Sequence, residues 1–193
     1  MVKFNKLIKK LEKKKLLLVK LYLQFSNMNK KIGKMIVTMF GVGHIKYFPG
    51  TFASLITASI YYIFYTIKIN YFLLIFINLF LFFYSVWMIN NLEGEFEEID
   101  SKEIVIDEFL GQSIPIIFFY IIFYEGSVST NFFFIIVFLS FIGFRFFDIL
   151  KPYPINYVDK NMKNGFGVIL DDLIAGFFTL IVLYICIIFY GQI

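Results

Sequence analysis

Long runs without charged side chains dominate this sequence. From Leu173 to Ile193 no residue is charged, and four further blocks are nearly as apolar. A helix needs roughly 20 predominantly apolar residues to cross a bilayer, and these blocks are continuous rather than alternating. The five apolar blocks cover residues 52–67, 71–89, 104–124, 131–150 and 169–190. The pattern predicts an all-α, polytopic membrane bundle of about four to five transmembrane helices, because the first block is short.

The first 34 residues differ from the rest of the chain in charge. They hold eleven of the eighteen basic residues, with apolar residues at helical spacing between the lysines. Two interpretations stay open: a basic amphipathic helix on an anionic membrane surface, or a solvated and partly disordered tail. We therefore divide the chain into this basic segment, 1–34, and a membrane-embedded domain, 35–193. Segment 35–45 is apolar but short, and we expect a re-entrant or interfacial piece there.

Charge in the connecting loops sets the expected orientation. If the lysine-rich N-terminus is cytoplasmic, the loops near 90–103 and 151–168 are cytoplasmic as well, and they contain four lysines. The opposite loops, near 68–70 and 125–130, hold one lysine and one acid. This distribution follows the positive-inside rule. It gathers the polar residues of the membrane blocks into one cluster at the cytoplasmic end of the helices.

Composition narrows the chemistry that such a cluster can perform. The chain has one cysteine, Cys186, and one histidine, His44, so neither a disulfide framework nor a zinc cluster is expected. The nucleophile elbow of serine hydrolases and the dinucleotide fingerprint are both absent from the sequence. Carboxylates remain as metal ligands, and they favour hard cations such as Mg²⁺ or Mn²⁺. We expect no nucleic-acid partner, and the sequence does not indicate an oligomeric state.

Two pairs of adjacent acids stand out within the membrane blocks: Asp107 with Glu108, and Asp171 with Asp172. An ionised carboxylate inside a bilayer costs roughly 2.5–3.5 kcal/mol on insertion scales, so each pair needs a cation, a wet cleft or a place at the membrane edge. Single acids often do no more than stabilise a helix N-terminus. Two pairs at the same depth on separate helices favour a metal site instead. Adjacent residues of a helix point about 100° apart, so the members of a pair have different neighbours.

The stretch from residue 145 to 167 is the densest in charge. Arg145, Asp148 and Lys151 are spaced by three and are expected on one helix face, which Pro152 then ends. Asp159 follows, with further lysines and a flexible Gly-Phe-Gly before the second acidic pair. A ladder of ion pairs is one interpretation. The other is a phosphate site, in which the bases bind phosphate oxygens and the acids bind a metal.

A glycine-rich turn precedes the first membrane block. Gly50 and Thr51 stand where a helix is expected to begin, so their backbone N–H groups are placed to bind an anion. A turn capped by Thr51 or Ser54 explains the same residues equally well.

At these residues the chain resembles the phosphatidylglycerophosphatase A family of bacterial inner-membrane lipid phosphatases. The matching motifs, in the family's order and spacing over roughly residues 35–185, are GVGHIKYFPGTFAS, DSKEIVIDEFLG, RFFDILKPYPI and GFGVILDDLIAG. Ala53 departs from a common glycine, Ile106 replaces a frequent aromatic, and the turn at 44–47 is atypical. None of these departures removes a carboxylate.

The resemblance implies Mg²⁺-dependent hydrolysis of phosphatidylglycerol phosphate to phosphatidylglycerol and inorganic phosphate, at the cytoplasmic face of the inner membrane. We predict that four acids hold one or two Mg²⁺ ions: Asp107, Glu108, Asp171 and Asp172. Asp148 joins them or acts as general base, Arg145 and Lys151 bind phosphate with Asp159 beside them, and Gly50 with Thr51 positions it. Two alternatives stay open: a phosphatase of another membrane lipid phosphomonoester, and a non-enzymatic cation transporter.

Overall fold

The computed structural model describes residues 2–92, 94–96, 100–126 and 128–189, and the side chains of all these residues except 2–14, 21, 23 and 25. All regular elements in this part of the chain are helical, which confirms the all-α prediction. The helices are α1 (Val2–Val37), α2 (Pro49–Thr66), α3 (Tyr71–Asn91), α4 (Ile106–Phe123), α5 (Thr130–Leu150), α6 (Ile155–Asn161) and α7 (Gly165–Phe189). A 3₁₀ turn, Val42–His44, lies between α1 and α2.

Four of these helices, α3, α4, α5 and α7, are long and apolar enough to cross a membrane. In α4, 67% of the apolar stretch that could cross the membrane is buried inside the bundle. The corresponding buried shares of α3, α5 and α7 are 22%, 28% and 33%. The bundle is therefore built around α4, and the other three helices expose most of their apolar surface. In a bilayer that surface faces lipid.

Two glycines let α4 and α7 approach to backbone contact. A Cβ atom on Gly111 of α4 would lie 2.5 Å from the carbonyl oxygen of Asp172, and one on Gly176 of α7 would lie 2.2 Å from the carbonyl oxygen of Gly111. Such distances are far below van der Waals contact, so only glycine permits this helix spacing. The contact sets the acids of α7 beside the acids at the start of α4.

Aromatic packing closes the end of the bundle away from those acids. Tyr65 of α2 stacks on Phe133 of α5 with ring centroids 3.7 Å apart, and Tyr120 of α4 meets both rings edge-on. The Tyr120 hydroxyl donates to the backbone of the α2–α3 turn, with 2.9 Å to the Phe64 carbonyl oxygen or 2.6 Å to that of Ile69. This buried hydroxyl is therefore satisfied where no water is at hand.

In three local segments the structure adds to the sequence analysis or corrects it. Segment 35–45 consists of the end of α1, which runs on to Val37, and of left-handed residues at 39–41 that turn the chain into the 3₁₀ helix; its re-entrant or interfacial position stays a prediction. The Gly165–Gly167 stretch is not a flexible linker but the first turn of α7, where Gly165 packs on the Val86 carbonyl oxygen. Helix α6 was not predicted, since seven residues following two prolines carry no clear helical period.

Helix α1 is continuous over 36 residues, which corresponds to about 54 Å. Its last turns pack on the end of α3, where Gly33 contacts Met88. Lys30 Nζ lies 2.9 Å from Glu95 Oε1, and this hydrogen bond lowers the pKa of Glu95. Residues 16–19, by contrast, are exposed apolar side chains. Whether this segment lies on an anionic membrane surface stays a prediction.

Candidate functional site

Three carboxylates converge where α4 meets α7. Asp107, Glu108 and Asp172 each offer an oxygen that lies within 4.8 Å of the other two. Asp107 is 7% exposed and Asp172 is 5% exposed, and Glu108 Oε2 is buried without a hydrogen-bond partner among the described residues. Three like charges in such surroundings repel each other and lack hydration, so the arrangement calls for a cation.

Arg145 and Asp148, near the end of α5, form an ion pair beside these acids. Arg145 Nη1 lies 2.5 Å from Asp148 Oδ2, and both side chains are mostly buried. The Nε atom of Arg145 is buried without a partner among the described residues. The predicted i,i+3 relationship between the two residues is thus confirmed. A guanidinium with an unused donor next to an acidic cluster is suited to bind an anion.

The first turn of α2 completes this side of the site. Gly50 is buried there, and a Cβ on it would lie 1.9 Å from Glu108 Oε1 and 3.3 Å from Arg145 Nη1. Thr51 follows in the same turn, and Phe48 at the N-cap provides no side-chain hydrogen bond. The uncapped N-terminus of an 18-residue helix, with its partial positive charge, therefore faces Glu108 and Arg145.

Lys151 belongs to a second group of charges on the other side of the site. It follows the last residue of α5 as the C-cap in a left-handed conformation (φ 43°), so it is not part of the helix on which Arg145 and Asp148 share a face. The prediction that all three share one helix face is wrong for this reason. Lys151 Nζ lies 2.8 Å from Asp159 Oδ1 and 2.9 Å from Asp171 Oδ2.

Asp159 and Asp171 keep Lys151 protonated. Partial burial by itself would lower the pKa of the ammonium group, but the hydrogen bonds with Asp159 and Asp171 outweigh it and raise the pKa above its ordinary value. Lys151 is therefore a fixed positive charge, and it joins the start of α7 to α6 and to the end of α5.

The adjacent acids divide their roles as their helical spacing predicts. Asp171 Oδ1 accepts a hydrogen bond from the backbone N–H of Asp172 (3.0 Å) while its Oδ2 contacts Lys151. Asp107 Oδ1 accepts from the N–H of Glu108 (3.1 Å) in the first turn of α4. The first acid of each pair thus also serves its helix backbone, whereas Asp172 and Glu108 turn their carboxylates to the shared cluster.

Sequence reasoning missed one polar group close to the site. Gln112 of α4 is completely buried, and both atoms of its amide lack a partner among the described residues. It stands four residues after Glu108, so it lies one helical turn deeper on the same face. That spacing was the available signal, but a lone glutamine in an apolar block did not stand out.

The donor set suits a hard divalent cation. The three converging side chains supply only carboxylate oxygens, and one of those oxygens, on Glu108, is buried without a partner. Mg²⁺ is bound in proteins by one or a few carboxylates together with water and phosphate oxygens. The residues present therefore fit the expected ion, with Asp107, Glu108 and Asp172 as the group that would hold it.

Fold and site together define a class: helical membrane proteins that carry a cluster of carboxylates and basic side chains at one end of the bundle. Residues 35–187 match the family model described as Phosphatidylglycerophosphatase A. The chain belongs to this family and is an enzyme of it. Basic segment 1–34 lies outside the matched residues.

Two individual relatives carry the name of this family, and a third carries the name of another lipid phosphatase. The chain is 33% identical to a phosphatidylglycerophosphatase A of Haemophilus influenzae over 75% of its own length and 82% of that protein. It is 27% identical to a phosphatidylglycerophosphatase A of Escherichia coli, over 75% of its own length and 77% of the relative. A putative phosphatidylinositol-3-phosphatase of Bacteroides thetaiotaomicron is 30% identical, with 77% and 89% covered. No solved structure matches the chain.

Proposed function

We propose that this protein hydrolyses the terminal phosphomonoester of phosphatidylglycerol phosphate, releasing phosphatidylglycerol and inorganic phosphate, and that the reaction depends on Mg²⁺. The observation that carries the proposal is the convergence of Asp107, Glu108 and Asp172 within 4.8 Å, with Arg145 and the N-terminus of α2 beside them. Carboxylates that bind a cation, next to donors that bind an anion, are what phosphate-ester hydrolysis requires.

The positive groups of the site have separate roles. Arg145 donates from its guanidinium to oxygens of the phosphate and stabilises the charge that develops as the ester bond breaks. The backbone N–H groups at Gly50 and Thr51 fix the orientation of the same phosphate at the positive end of α2. Lys151 adds a fixed positive charge on the far side, held by Asp159 and Asp171. In this assignment Asp171 positions Lys151, and the other three acids of the two pairs form the metal site.

In this mechanism the carboxylate of Asp148 accepts the proton of the attacking water. Asp148 pairs with Arg145 through Oδ2, and we assign its other oxygen as the proton acceptor. Attack of the water oxygen on phosphorus breaks the bond to the glycerol oxygen, and this oxygen leaves as the alcohol of phosphatidylglycerol after taking the proton that Asp148 accepted. When bound, Mg²⁺ neutralises charge on the phosphate and makes water a better nucleophile.

Depth in the membrane fits a lipid substrate. The acids stand near the start of α4, near the end of α5 and near the start of α7, so all of them lie at one end of the bundle. A phospholipid headgroup reaches that depth while its acyl chains stay among apolar helices. The lysine distribution supports a cytoplasmic position for this end, and a bacterial inner membrane is the location we propose. Acids lining a transport path would instead be spread through the bilayer.

The name of one relative indicates a second candidate substrate, which the test includes. The Bacteroides thetaiotaomicron protein bears the name of a phosphatase for phosphatidylinositol 3-phosphate. The carboxylates, Arg145 and the α2 N-terminus would serve either phosphomonoester, since they contact the phosphate and not the alcohol that carries it.

Phosphate release from the purified protein tests the proposal. Phosphatidylglycerol phosphate, phosphatidylinositol 3-phosphate and diacylglycerol phosphate are supplied in detergent micelles, with Mg²⁺ or with EDTA, to wild type and to Asp172→Asn. We expect release from phosphatidylglycerol phosphate that requires Mg²⁺ and is lost in the variant. Faster release from another lipid would replace the substrate, and release in EDTA would overturn the metal requirement. Folded protein that releases nothing would refute the enzyme mechanism.

A further inference from the structure

A groove between α2 and α5 starts just below the residues assigned to the phosphate. Its cavity volume is about 310 Å³, at the lower end of the range for ligand pockets, and its walls are nearly all apolar. Leu55 and Phe141 line the end nearest the site. Leu55 stands four residues after Thr51, and Phe141 stands four residues before Arg145.

Both walls continue the helix faces that carry those phosphate-binding residues. On α2, Thr51 is followed on one face by Leu55, Ala58 and Tyr62, at intervals of four, three and four residues. On α5 the same intervals lead back from Arg145 through residues 141, 138 and 134, which are all phenylalanines. Two matching stripes therefore run from the polar site into the apolar depth of the bundle, with the groove between them.

The groove is open sideways and closed at its far end. Leu55, Ile63 and Phe138 are each about half exposed along its rim. The rings of Tyr62 and Phe134 meet edge-on at 5.4 Å and seal the bottom. Eight residues separate Leu55 from Ile63, so the groove is about 12 Å long. A chain that enters it from the bilayer can run along it as far as this seal.

A larger apolar cavity, about 460 Å³, lies between α3, α4 and α7, and its lining includes no residue of α2 or α5, the helices that carry the residues assigned to the phosphate. Beyond its lining residues α3 and α7 come into close contact, because Gly165 packs against the Val86 carbonyl oxygen and its N–H donates to Asn90 Oδ1 at 2.8 Å. A lipid chain lying there would not follow the helix faces that carry Thr51 and Arg145.

We propose that the α2–α5 groove binds one acyl chain of the lipid phosphomonoester and so places its phosphate against Thr51 and Arg145. This inference rests on the proposed function and adds the path of the substrate's chain. Bilayer lipid is as apolar as the groove, so the chain gains little binding free energy by entering. Its effect is on orientation, which controls how often the phosphate meets the catalytic groups in a productive geometry.

Filling the groove tests the inference. Ser59 lines it, is exposed, and uses its hydroxyl only toward the Leu55 carbonyl oxygen of its own helix, so Ser59→Trp blocks the groove without entering the core. Leu79→Trp is the matched control, because Leu79 is half exposed and lines the α3–α4–α7 cavity. Each variant is assayed with dioleoyl and with dihexanoyl phosphatidylglycerol phosphate, since the short chains cannot fill the groove.

We expect Ser59→Trp to lower kcat/KM for the dioleoyl substrate by about tenfold relative to the dihexanoyl substrate, as a misplaced headgroup would. Leu79→Trp should leave this ratio unchanged. An unchanged ratio in Ser59→Trp, or an equal fall in both variants, would overturn the inference.

Photo-crosslinking tests whether the acyl chain lies in the groove, and its result does not depend on turnover. Phosphatidylglycerol phosphate with a diazirine in its acyl chain is irradiated with the wild-type protein, and the labelled peptides are mapped by mass spectrometry. Labels at Ala58, Phe138 or Phe141 support the groove, and labels confined to α3 and α7 refute it. Wild type that hydrolyses neither substrate would refute the proposed function, while the crosslinks still report where the chain lies.

Discussion

Asp171 Oδ2 lies 2.9 Å from Lys151 Nζ, whereas the neighbouring Asp172 turns its carboxylate toward Asp107 and Glu108. Two acids that are adjacent in sequence thus serve different charges: Asp171 holds a cationic side chain and Asp172 joins a group suited to a metal ion. In the proposed mechanism this division gives Asp171 a positioning role and Asp172 a metal-binding role within a single turn of α7.

The first prediction uses that division. Asp171→Asn should lower kcat by about 10²-fold, the effect of removing one charge-stabilising interaction, because Lys151 loses its charged partner on α7. Lys151→Met should have a similar effect, and the double variant should be hardly worse than either single one, since coupled residues are not additive. Initial rates of all three at saturating Mg²⁺ measure this.

A metal-binding Asp171 would behave differently. Asp171→Asn would then raise the Mg²⁺ concentration needed for half-maximal activity, while Lys151→Met would not. Glu125→Gln is the control for charge alone, because Glu125 is an exposed acid at the opposite end of the bundle.

The second prediction concerns the three converging carboxylates. Asp107→Asn, Glu108→Gln and Asp172→Asn should each weaken Mg²⁺ binding and lower kcat, because each removes an oxygen ligand of the predicted ion. Mn²⁺ binding, followed by electron paramagnetic resonance on protein in detergent, measures the metal without relying on turnover. Glu103→Gln is the matched control, since this half-exposed acid pairs with His44 outside the cluster. Unaltered Mn²⁺ affinity in all three site variants would remove the metal assignment.

How much of this molecule follows from the sequence can be judged at particular residues. Apolar blocks placed the membrane helices to within a few residues, because charge is so costly in lipid that hydropathy marks each span. The pairing of Arg145 with Asp148 followed from helical spacing alone. The position of Lys151 could not be predicted in this way, because helical periodicity does not apply to a left-handed residue that follows the end of a helix. The start of α7 was misjudged because glycines that usually mark a linker here permit close packing.

The third prediction concerns the α4–α7 contact. Gly111→Ala should destabilise the protein by about 1–3 kcal/mol, because the new methyl group would meet the Asp172 carbonyl oxygen and a ring carbon of Phe144, neither of which can move away freely. This cost exceeds the roughly 1 kcal/mol that alanine gains over glycine in a helix. Thermal unfolding in detergent measures the change as a lower Tm.

Gly126→Ala is the control for that measurement. A Cβ on Gly126 meets no atom closer than 3.7 Å, which is ordinary van der Waals contact. Its Tm should stay close to that of the wild type. A Gly111→Ala protein as stable as Gly126→Ala would show that α4 and α7 do not pack at the distance described.

The fourth prediction concerns the basic segment. Deleting residues 1–27 should leave kcat for a short-chain substrate in micelles unchanged, because the family match begins at residue 35 and every charged residue assigned to the site lies beyond residue 100. The deletion keeps Lys30, which pairs with Glu95, and Gly33, which packs on Met88, so the anchor of α1 on α3 is retained.

If the segment binds anionic lipid, the same deletion should weaken binding to vesicles rich in phosphatidylglycerol but not to neutral vesicles. Cosedimentation of protein reconstituted in nanodiscs with either vesicle measures this difference. A fall in micellar kcat would instead place residues 1–27 in the catalytic fold.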